Sequence, residues 1–323
     1  MTKVCIIGAG AIGGWIGARL AASGLADVSA VARGATLQSL RVRGWQLRTA
    51  GGTITAPTRA AATADELGPQ DLVILTVKAP ALTDAVRVLP PLLGPGTAVL
   101  PFMNGVPWWF GRGTELGDEP LRSIDPDGVV AAAIDFDRVL GGVVHSSCSV
   151  PEPGVVQHVM GNGLIVGEPA GGSSPRAEAV GELLSGAGFD AVVSADVRYD
   201  IWYKLWGNMT MNPVSALTGA TADRILGDPL VRAFNSAAMR EAAEIGRRLG
   251  CDIQQTPEDR HKVTAKLGAF KTSMLQDAEA GRPLELDALV GAVHEIGERL
   301  GVPTPYIGAL LGLTRLAAEN LRR

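Results

Sequence analysis

Short apolar runs alternate with segments of helical period through the first half of the chain. Four of these runs predict strands, at residues 3–8, 28–32, 71–77 and 97–101. The run Val73-Ile74-Leu75 contains no polar break, which is typical of a strand covered on both faces. Because helix-period segments follow these strands, the pattern predicts a doubly wound α/β sheet with parallel strands.

Further β-like segments lie outside this alternation. Residues 45–57 are broken by Gly51-Gly52, and this spacing predicts a small hairpin. Residues 141–145, 154–159 and 164–167 lie among Gly and Pro and predict an antiparallel extension of the same sheet.

Strand signals stop after Val193, and longer helical periods follow. These predict helices at about 196–211, 230–249, 258–269, 284–300 and 304–322. Asp196 is a candidate N-cap, and Gly250 stands where a C-cap glycine belongs after the second of these helices. We therefore expect an α/β domain over 1–195 and an all-helical domain over 196–323.

Composition narrows the class of protein. Hydrophobic residues make up 46% and charged residues 19%, which excludes a disordered chain. The net charge is −4 and the basic residues are scattered, so we expect no nucleic acid and no membrane as partner. Cys5, Cys148 and Cys251 lack metal-ligand spacing, which favours reduced thiols in a cytoplasmic protein and no metal.

A glycine motif follows the first predicted strand and opens a helix-period segment. It reads Gly8-Ala9-Gly10-Ala11-Ile12-Gly13. In a dinucleotide site the first glycine allows a tight turn, the second lets pyrophosphate approach the backbone, and the third lets helix and strand pack closely. The phosphates then lie at the helix N-terminus. A glycine-rich turn without a ligand is the alternative.

Three polar residues follow other predicted strands. Arg33 comes after the second strand, where NAD-specific sites carry an acid, so NADP(H) is favoured over NAD(H). Lys78 and Asn104 follow the next two strands, and we expect both to border the nicotinamide half of the site. Each has an ordinary alternative, namely a solvated arginine, a surface lysine and a turn asparagine.

A polar row is predicted on the first helix of the second half. Lys204, Asn208 and Asn212 recur at intervals of four, which places them on one helix face among apolar neighbours. Desolvation can bring the pKa of such a lysine toward the working pH, so Lys204 is a candidate proton donor. Solvation of the row on the surface is the alternative. The acids Glu285 and Asp287 are predicted to open a later helix, where the dipole alone favours them.

Taken in order, these motifs resemble the ketopantoate reductase (2-dehydropantoate 2-reductase) family. The matching stretches are GAGAIG, VKA at 77–79, NG at 104–105, KLxxNxxxNP at 204–213, SMLQD at 273–277, GRxxExD at 281–287 and GVPTP at 301–305. The resemblance implies an N-terminal Rossmann domain and an all-helical C-terminal domain. It also implies NADPH-dependent reduction of a 2-keto acid, with ketopantoate as the first choice.

The resemblance also implies roles for single residues. Lys204 is similar to the family's general acid, and Glu285 to the acid that orients this lysine and the substrate. Asn208 and Asn212 resemble its substrate-binding amides, and Ser273 its carboxylate contact. Lys78 and Asn104 resemble the pair near nicotinamide and ribose, with Asn104 also at the substrate.

Two departures leave the substrate open. Leu284 stands where the family often has Thr, and a Gly- and acid-containing stretch to about Asp127 follows Asn104-Gly105 in place of a shorter helix. This stretch carries Trp108-Trp109-Phe110, which predicts either a wall for a bulkier keto acid or a subunit interface, so a homodimer stays open. Two further hypotheses stay open, a non-catalytic NADP(H) sensor and a dehydrogenase of the neighbouring hydroxyacid or imine-reducing groups.

Overall fold

A computed structural model describes residues Met1–Leu321, which fall into two compact units. The first unit comprises Met1–Met103 and Gly128–Val197, and the second comprises Asn104–Asp127 together with the described residues from Arg198 onward. The division at Val197 lies beside the boundary drawn from the sequence. Asn104–Asp127 departs from that boundary, because this segment lies within 1–195 but packs with the second unit.

The first unit contains ten strands and five helices among its described residues. The strands are β1 (Thr2–Ile7), β2 (Ala26–Val31), β3 (Trp45–Thr49), β4 (Gly52–Ala56), β5 (Arg59–Ala61), β6 (Gln70–Leu75), β7 (Leu93–Pro101), β8 (Gly141–Glu152), β9 (Val155–Gly167) and β10 (Asp190–Ser194). The helices are α1 (Ala11–Ser23), α2 (Gly34–Arg43), α3 (Leu82–Arg87), α4 (Val129–Ala133) and α5 (Pro175–Gly186).

A five-stranded parallel sheet forms the centre of the first unit, in the order β5-β2-β1-β6-β7. The four predicted strands are confirmed as β1, β2, β6 and β7, and Val4 of β1 pairs with Val28 and Leu72 on either side. Parallel pairing brings the carboxyl ends of these strands to one edge of the sheet. The glycine motif, Arg33 and Lys78 all follow strands at that edge.

The remaining strands form a second sheet, so the predicted extension of the first sheet was wrong. The predicted hairpin is confirmed as β3 and β4, and β8 pairs with β9 in antiparallel register, but these strands belong to a sheet with the order β10-β9-β3-β4. Helix α1 contacts strands of both sheets. A Cβ on its Gly14 would lie 2.5 Å from Val156, and one on Gly17 would lie 2.7 Å from Trp45. The face of α1 that carries Gly14 and Gly17 therefore packs closely against the second sheet.

The second unit is helical within the described residues. Its helices are α6 (Val197–Thr218, which starts in the first unit's last residue), α7 (Ala222–Gly227), α8 (Pro229–Arg248), α9 (Pro257–Ala265), α10 (Ser273–Glu279), α11 (Ala292–Leu300) and α12 (Pro305–Leu321), with a π-helical turn at Asp287–Gly291. Helix α8 packs against α7, α9, α11 and α12. No helix among residues 1–321 is long and apolar enough to cross a membrane.

Several predicted helix ends required correction. Helix α6 continues through Pro213 to Thr218, although proline removes one backbone hydrogen bond of the helix; Val214, directly after the proline, is buried. Helix α9 ends early, at Ala265, before Gly268 with its φ of +61°. The predicted helix 284–300 is the π-helical turn followed by α11. Gly250 is confirmed as the glycine that ends α8, with a φ of +81°. The end predicted at Arg322 lies outside the described residues.

Candidate active site

Helix α6 is fixed in the second unit by its indole rings. Trp202 Nε1 donates to Ala242 O at 3.1 Å, and Trp206 Nε1 donates to Met239 O at 2.6 Å, so both rings anchor α6 on α8. Both tryptophans are 1% exposed. With that face buried, the row of Lys204, Asn208 and Asn212 is half-buried or buried. The row is therefore not a solvated surface stripe.

Lys204 is the titratable centre of this row. Its Nζ donates to Oδ1 of Asn104 at 2.9 Å. Desolvation lowers the pKa of Lys204 to about 8; the Glu285 carboxylate opposes that fall, and the Arg260 guanidinium adds to it. Glu285 itself is buried. A lysine with a pKa near neutrality can give up a proton and recover it at physiological pH.

The Asn104-Gly105 turn and the π-helical turn lock together and bring Asn104 and Glu285 to this lysine. The Val106 N–H donates to Ala288 O at 2.9 Å. Gly105 has a φ of +88°, and a Cβ there would lie 2.4 Å from the same oxygen, so no other residue fits. Glu285 comes two residues before the π-helical turn, and such turns are frequent at functional sites.

The SMLQD and GRxxExD stretches are joined by an ion pair. Arg282 Nε donates to Oδ1 of the buried Asp277 at 2.9 Å, and the Arg282 N–H donates to Asp277 O at 2.8 Å. This pair sets the turn that leads from α10 to Glu285. Ser273, the first residue of α10, is exposed, and Thr272 caps the helix by accepting from the Leu275 N–H at 3.2 Å.

The glycine loop in the first unit has the close approaches that its sequence predicts. Gly8 has a φ of +98°, and a Cβ on Gly13 would lie 2.2 Å from Gly8 O. Around Gly10 the space is open, with a built Cβ 4.0 Å from its nearest neighbour. Helix α1 begins at Ala11 with no side-chain cap and no acid in its first turn. Its N-terminal amides can therefore receive a phosphate, and the residues fit a dinucleotide.

Arg33 and Lys78 lie at the same edge of the parallel sheet as the glycine loop. Arg33 is exposed and occupies the N-cap position of α2, directly beyond β2. Lys78 is exposed and precedes a 3₁₀ turn at Ala79–Ala81, beyond β6. Both side chains are therefore accessible at the sheet edge that carries the glycine loop.

The aromatic triplet Trp108-Trp109-Phe110 was predicted from the sequence to form either a substrate wall or a subunit interface. The structure contradicts the substrate wall, because all three side chains are buried. Trp108, Trp109 and Phe110 are 6%, 3% and 0% exposed. The Phe110 ring stacks on Trp202 at 5.5 Å between centroids, and the Arg198 guanidinium lies 5.4 Å from the Trp109 centroid. The triplet packs into the core of the second unit, because the whole segment Asn104–Asp127 docks there.

Arg260 lies beside this site and was not singled out from the sequence. Its guanidinium lies over the Tyr203 ring at 5.0 Å and against Gly207, both on α6. A glycine in the middle of a helix costs about 1 kcal/mol relative to alanine, so Gly207 was the one available signal of a close neighbour.

Comparison with known proteins identifies the family. Residues 4–171 match the family model "Ketopantoate reductase PanE/ApbA", and residues 196–318 match "Ketopantoate reductase PanE/ApbA C terminal". The chain is 46% identical to a 2-dehydropantoate 2-reductase of Mesorhizobium japonicum over 98% of both chains.

Solved structures agree with this match. A crystal structure from Ralstonia solanacearum, provisionally assigned as a ketopantoate reductase, superimposes with a TM-score of 0.95 at 54% identity and covers 99% of each chain. The 2-dehydropantoate 2-reductase of Methylococcus capsulatus gives a TM-score of 0.85 at 27% identity, covering 99% of this chain and 98% of that one. The chain therefore belongs to the ketopantoate reductase family.

Proposed function

We propose that this protein is an NADPH-dependent reductase that converts 2-dehydropantoate (ketopantoate) to pantoate in the cytoplasm. In this proposal the first unit binds the cofactor and the second unit binds the substrate. The observation that carries it is the environment of Lys204, whose Nζ is held by Asn104 and whose pKa is lowered to about 8. A sensor that only binds NADP(H) has no use for such a lysine.

Lys204 acts as the general acid. Gly8, Gly10, Ala11, Ile12, Gly13, Arg33, Lys78 and Asn104 would hold NADPH, and the bound cofactor would supply the hydride for the keto carbon. The Lys204 ammonium gives its proton to the keto oxygen as negative charge develops there, so the product is a 2-hydroxy acid. The lysine then takes a proton from solvent.

The other polar residues of the second unit position the lysine and the substrate. The Asn104 amide oxygen accepts from Nζ and fixes the direction of the ammonium. The buried Glu285 favours the charged lysine and thereby keeps the acid loaded. Asn208, Asn212 and Ser273 supply amide and hydroxyl groups to the substrate's polar atoms.

NADPH is preferred to NADH because Arg33 replaces the acid that would bind a ribose 2′-hydroxyl. A guanidinium beyond β2 can form a charge-assisted contact with a 2′-phosphate. An acid at that point would accept from the hydroxyl and repel the phosphate.

The test is NADPH oxidation by the purified protein with a panel of 2-keto acids that includes ketopantoate, with NADH run in parallel. We expect the highest kcat/KM with ketopantoate and NADPH. Because the aromatic triplet is buried in packing, a large apolar group on the keto acid is expected to give no advantage. Absence of turnover with every keto acid, despite tight NADPH binding, would favour the sensor.

A further inference from the structure

A second cation lies beside the polar row of α6 and has no part in the chemistry proposed above. Arg260 of α9 places its guanidinium over the Tyr203 ring, with 5.0 Å to the centroid. A Cβ built on Gly207 would lie 2.6 Å from Arg260 Nε and 2.9 Å from Nη2. Gly207 comes three residues after Lys204 on α6, and residues at that spacing are neighbours on a helix surface. The guanidinium therefore lies alongside the candidate general acid.

Within the described residues no carboxylate forms an ion pair with this guanidinium. Arg260 is half-buried, its Nε is enclosed without a hydrogen-bond partner, and no ion pair of Arg260 occurs within residues 1–321. A buried polar group without a partner is costly, so such a group in a native fold calls for an explanation. Two cations, Arg260 and Lys204, and one carboxylate, Glu285, influence one another here. The net charge on this side of α6 is therefore positive and attracts an anion.

We propose that Arg260 binds the carboxylate of the 2-keto acid substrate and makes the enzyme select acids over neutral ketones. This inference deepens the proposed function and rests on it. A 2-keto acid carries its carboxylate on the carbon next to the keto carbon, so an anion site belongs directly beside the proton donor. Guanidinium donors match the planar carboxylate. Ser273 is exposed and uncharged, and it cannot supply this charge.

The first experiment measures binding of oxamate, a carboxylate that resembles a 2-keto acid and resists reduction, to the NADP⁺-loaded enzyme by calorimetry. Arg260→Gln removes the charge, and Arg240→Gln is the matched control at an exposed position of α8. We expect the oxamate Kd to rise about 10- to 150-fold in Arg260→Gln, with the NADP⁺ Kd unchanged and the control equal to wild type. An unchanged oxamate Kd, or a rise in the NADP⁺ Kd instead, would overturn the proposal.

A second variant separates binding from folding. Gly207→Ala puts a methyl group where the guanidinium now lies, while alanine stabilises the helix. We expect weaker oxamate binding together with an equal or higher melting temperature. A variant that is stable and binds oxamate as the wild type does would contradict the proposal.

The same measurements distinguish this inference from the proposed function. If oxamate binding depends on Arg260 but no 2-keto acid is reduced, the proposed function fails and the anion site stands. If ketopantoate is reduced with the same KM in wild type and Arg260→Gln, the proposed function stands and the anion site fails.

Discussion

The glycine loop of the first unit and the lysine site of the second unit are built in opposite ways. The loop is one continuous stretch from Gly8 to Gly13, completed by Thr76, whose Oγ1 donates to Gly8 O at 2.8 Å. The lysine site draws its residues from three distant segments, at Asn104, Lys204 and Glu285, and the turns that join them meet only in the folded unit.

This difference determines how far from its position a substitution affects the protein. The loop geometry is set by backbone sterics within a few residues, so a change there should alter cofactor affinity and little else. The lysine site depends on how Asn104–Asp127 docks, so changes far from Lys204 can reach its chemistry. Cofactor binding and proton transfer should thus be separable by mutation.

The largest effect is expected from Lys204→Ala. Loss of the general acid should lower kcat about 10²- to 10⁴-fold, because positioned acids contribute that much to a transition state. The NADPH Kd should not change, since the loop lies in the other unit. Stopped-flow NADPH oxidation and fluorescence titration measure the two quantities, with the exposed Lys262→Ala as control. A mutant that kept most of its kcat would remove the assignment.

Arg33→Asp should have the opposite pattern of effects, with weaker NADPH binding and unchanged proton transfer. Removing the phosphate contact should raise the NADPH Kd about 10- to 150-fold, while kcat at saturating NADPH stays close to wild type. Arg87→Asp, at an exposed position of α3, is the matched control. Equal NADPH and NADH dissociation constants in the wild-type protein would already contradict the role of Arg33.

The sequence predicted the features that depend on neighbouring residues and missed those that depend on contacts between distant segments. The loop, the parallel strands and the polar row at Lys204 are local patterns, and period and spacing were enough to predict them. The second sheet, the docking of Asn104–Asp127 and the position of Arg260 depend on side chains that meet across the fold. Trp108 to Phe110 illustrate that dependence, since the sequence predicted a substrate wall or a subunit interface and the three side chains are instead buried in the second unit.

The pH dependence of kcat/KM should report the lysine site alone. The lysine must be protonated to act, so activity should be flat below the Lys204 pKa of about 8 and fall tenfold per unit above it. Glu285→Gln removes a charge that raises this pKa, so the descending limb of the variant's pH profile should move to lower pH. Arg260→Gln should move the limb to higher pH. A limb that stayed in place in both variants would show that another group titrates.

The smallest effect on chemistry, and a direct test of docking, is expected at Glu295 on α11. Its carboxylate accepts from the N–H groups of Arg122 at 2.9 Å and Ser123 at 2.8 Å, and it pairs with Arg299 at 2.6 Å. Burial raises the pKa of Glu295, but these hydrogen bonds outweigh it and hold the pKa below the ordinary 4.5. The carboxylate thus ties Asn104–Asp127 to the second unit.

Glu295→Gln should lower the free energy of unfolding by about 1.5–3 kcal/mol, the value of hydrogen bonds to a charged group. Because the folded pKa is lowered, the wild type holds this stabilisation above about pH 4.5 and loses it as pH falls through the folded value, so the variant's deficit should shrink in acid. Urea unfolding at pH 7 and pH 3.5 measures both, with the exposed Glu298→Gln as control. Since the segment Asn104–Asp127 begins at the asparagine that binds Lys204, kcat should fall in Glu295→Gln while the NADPH Kd stays constant. A stable variant with wild-type kcat would show that the lysine site does not depend on the docking of this segment.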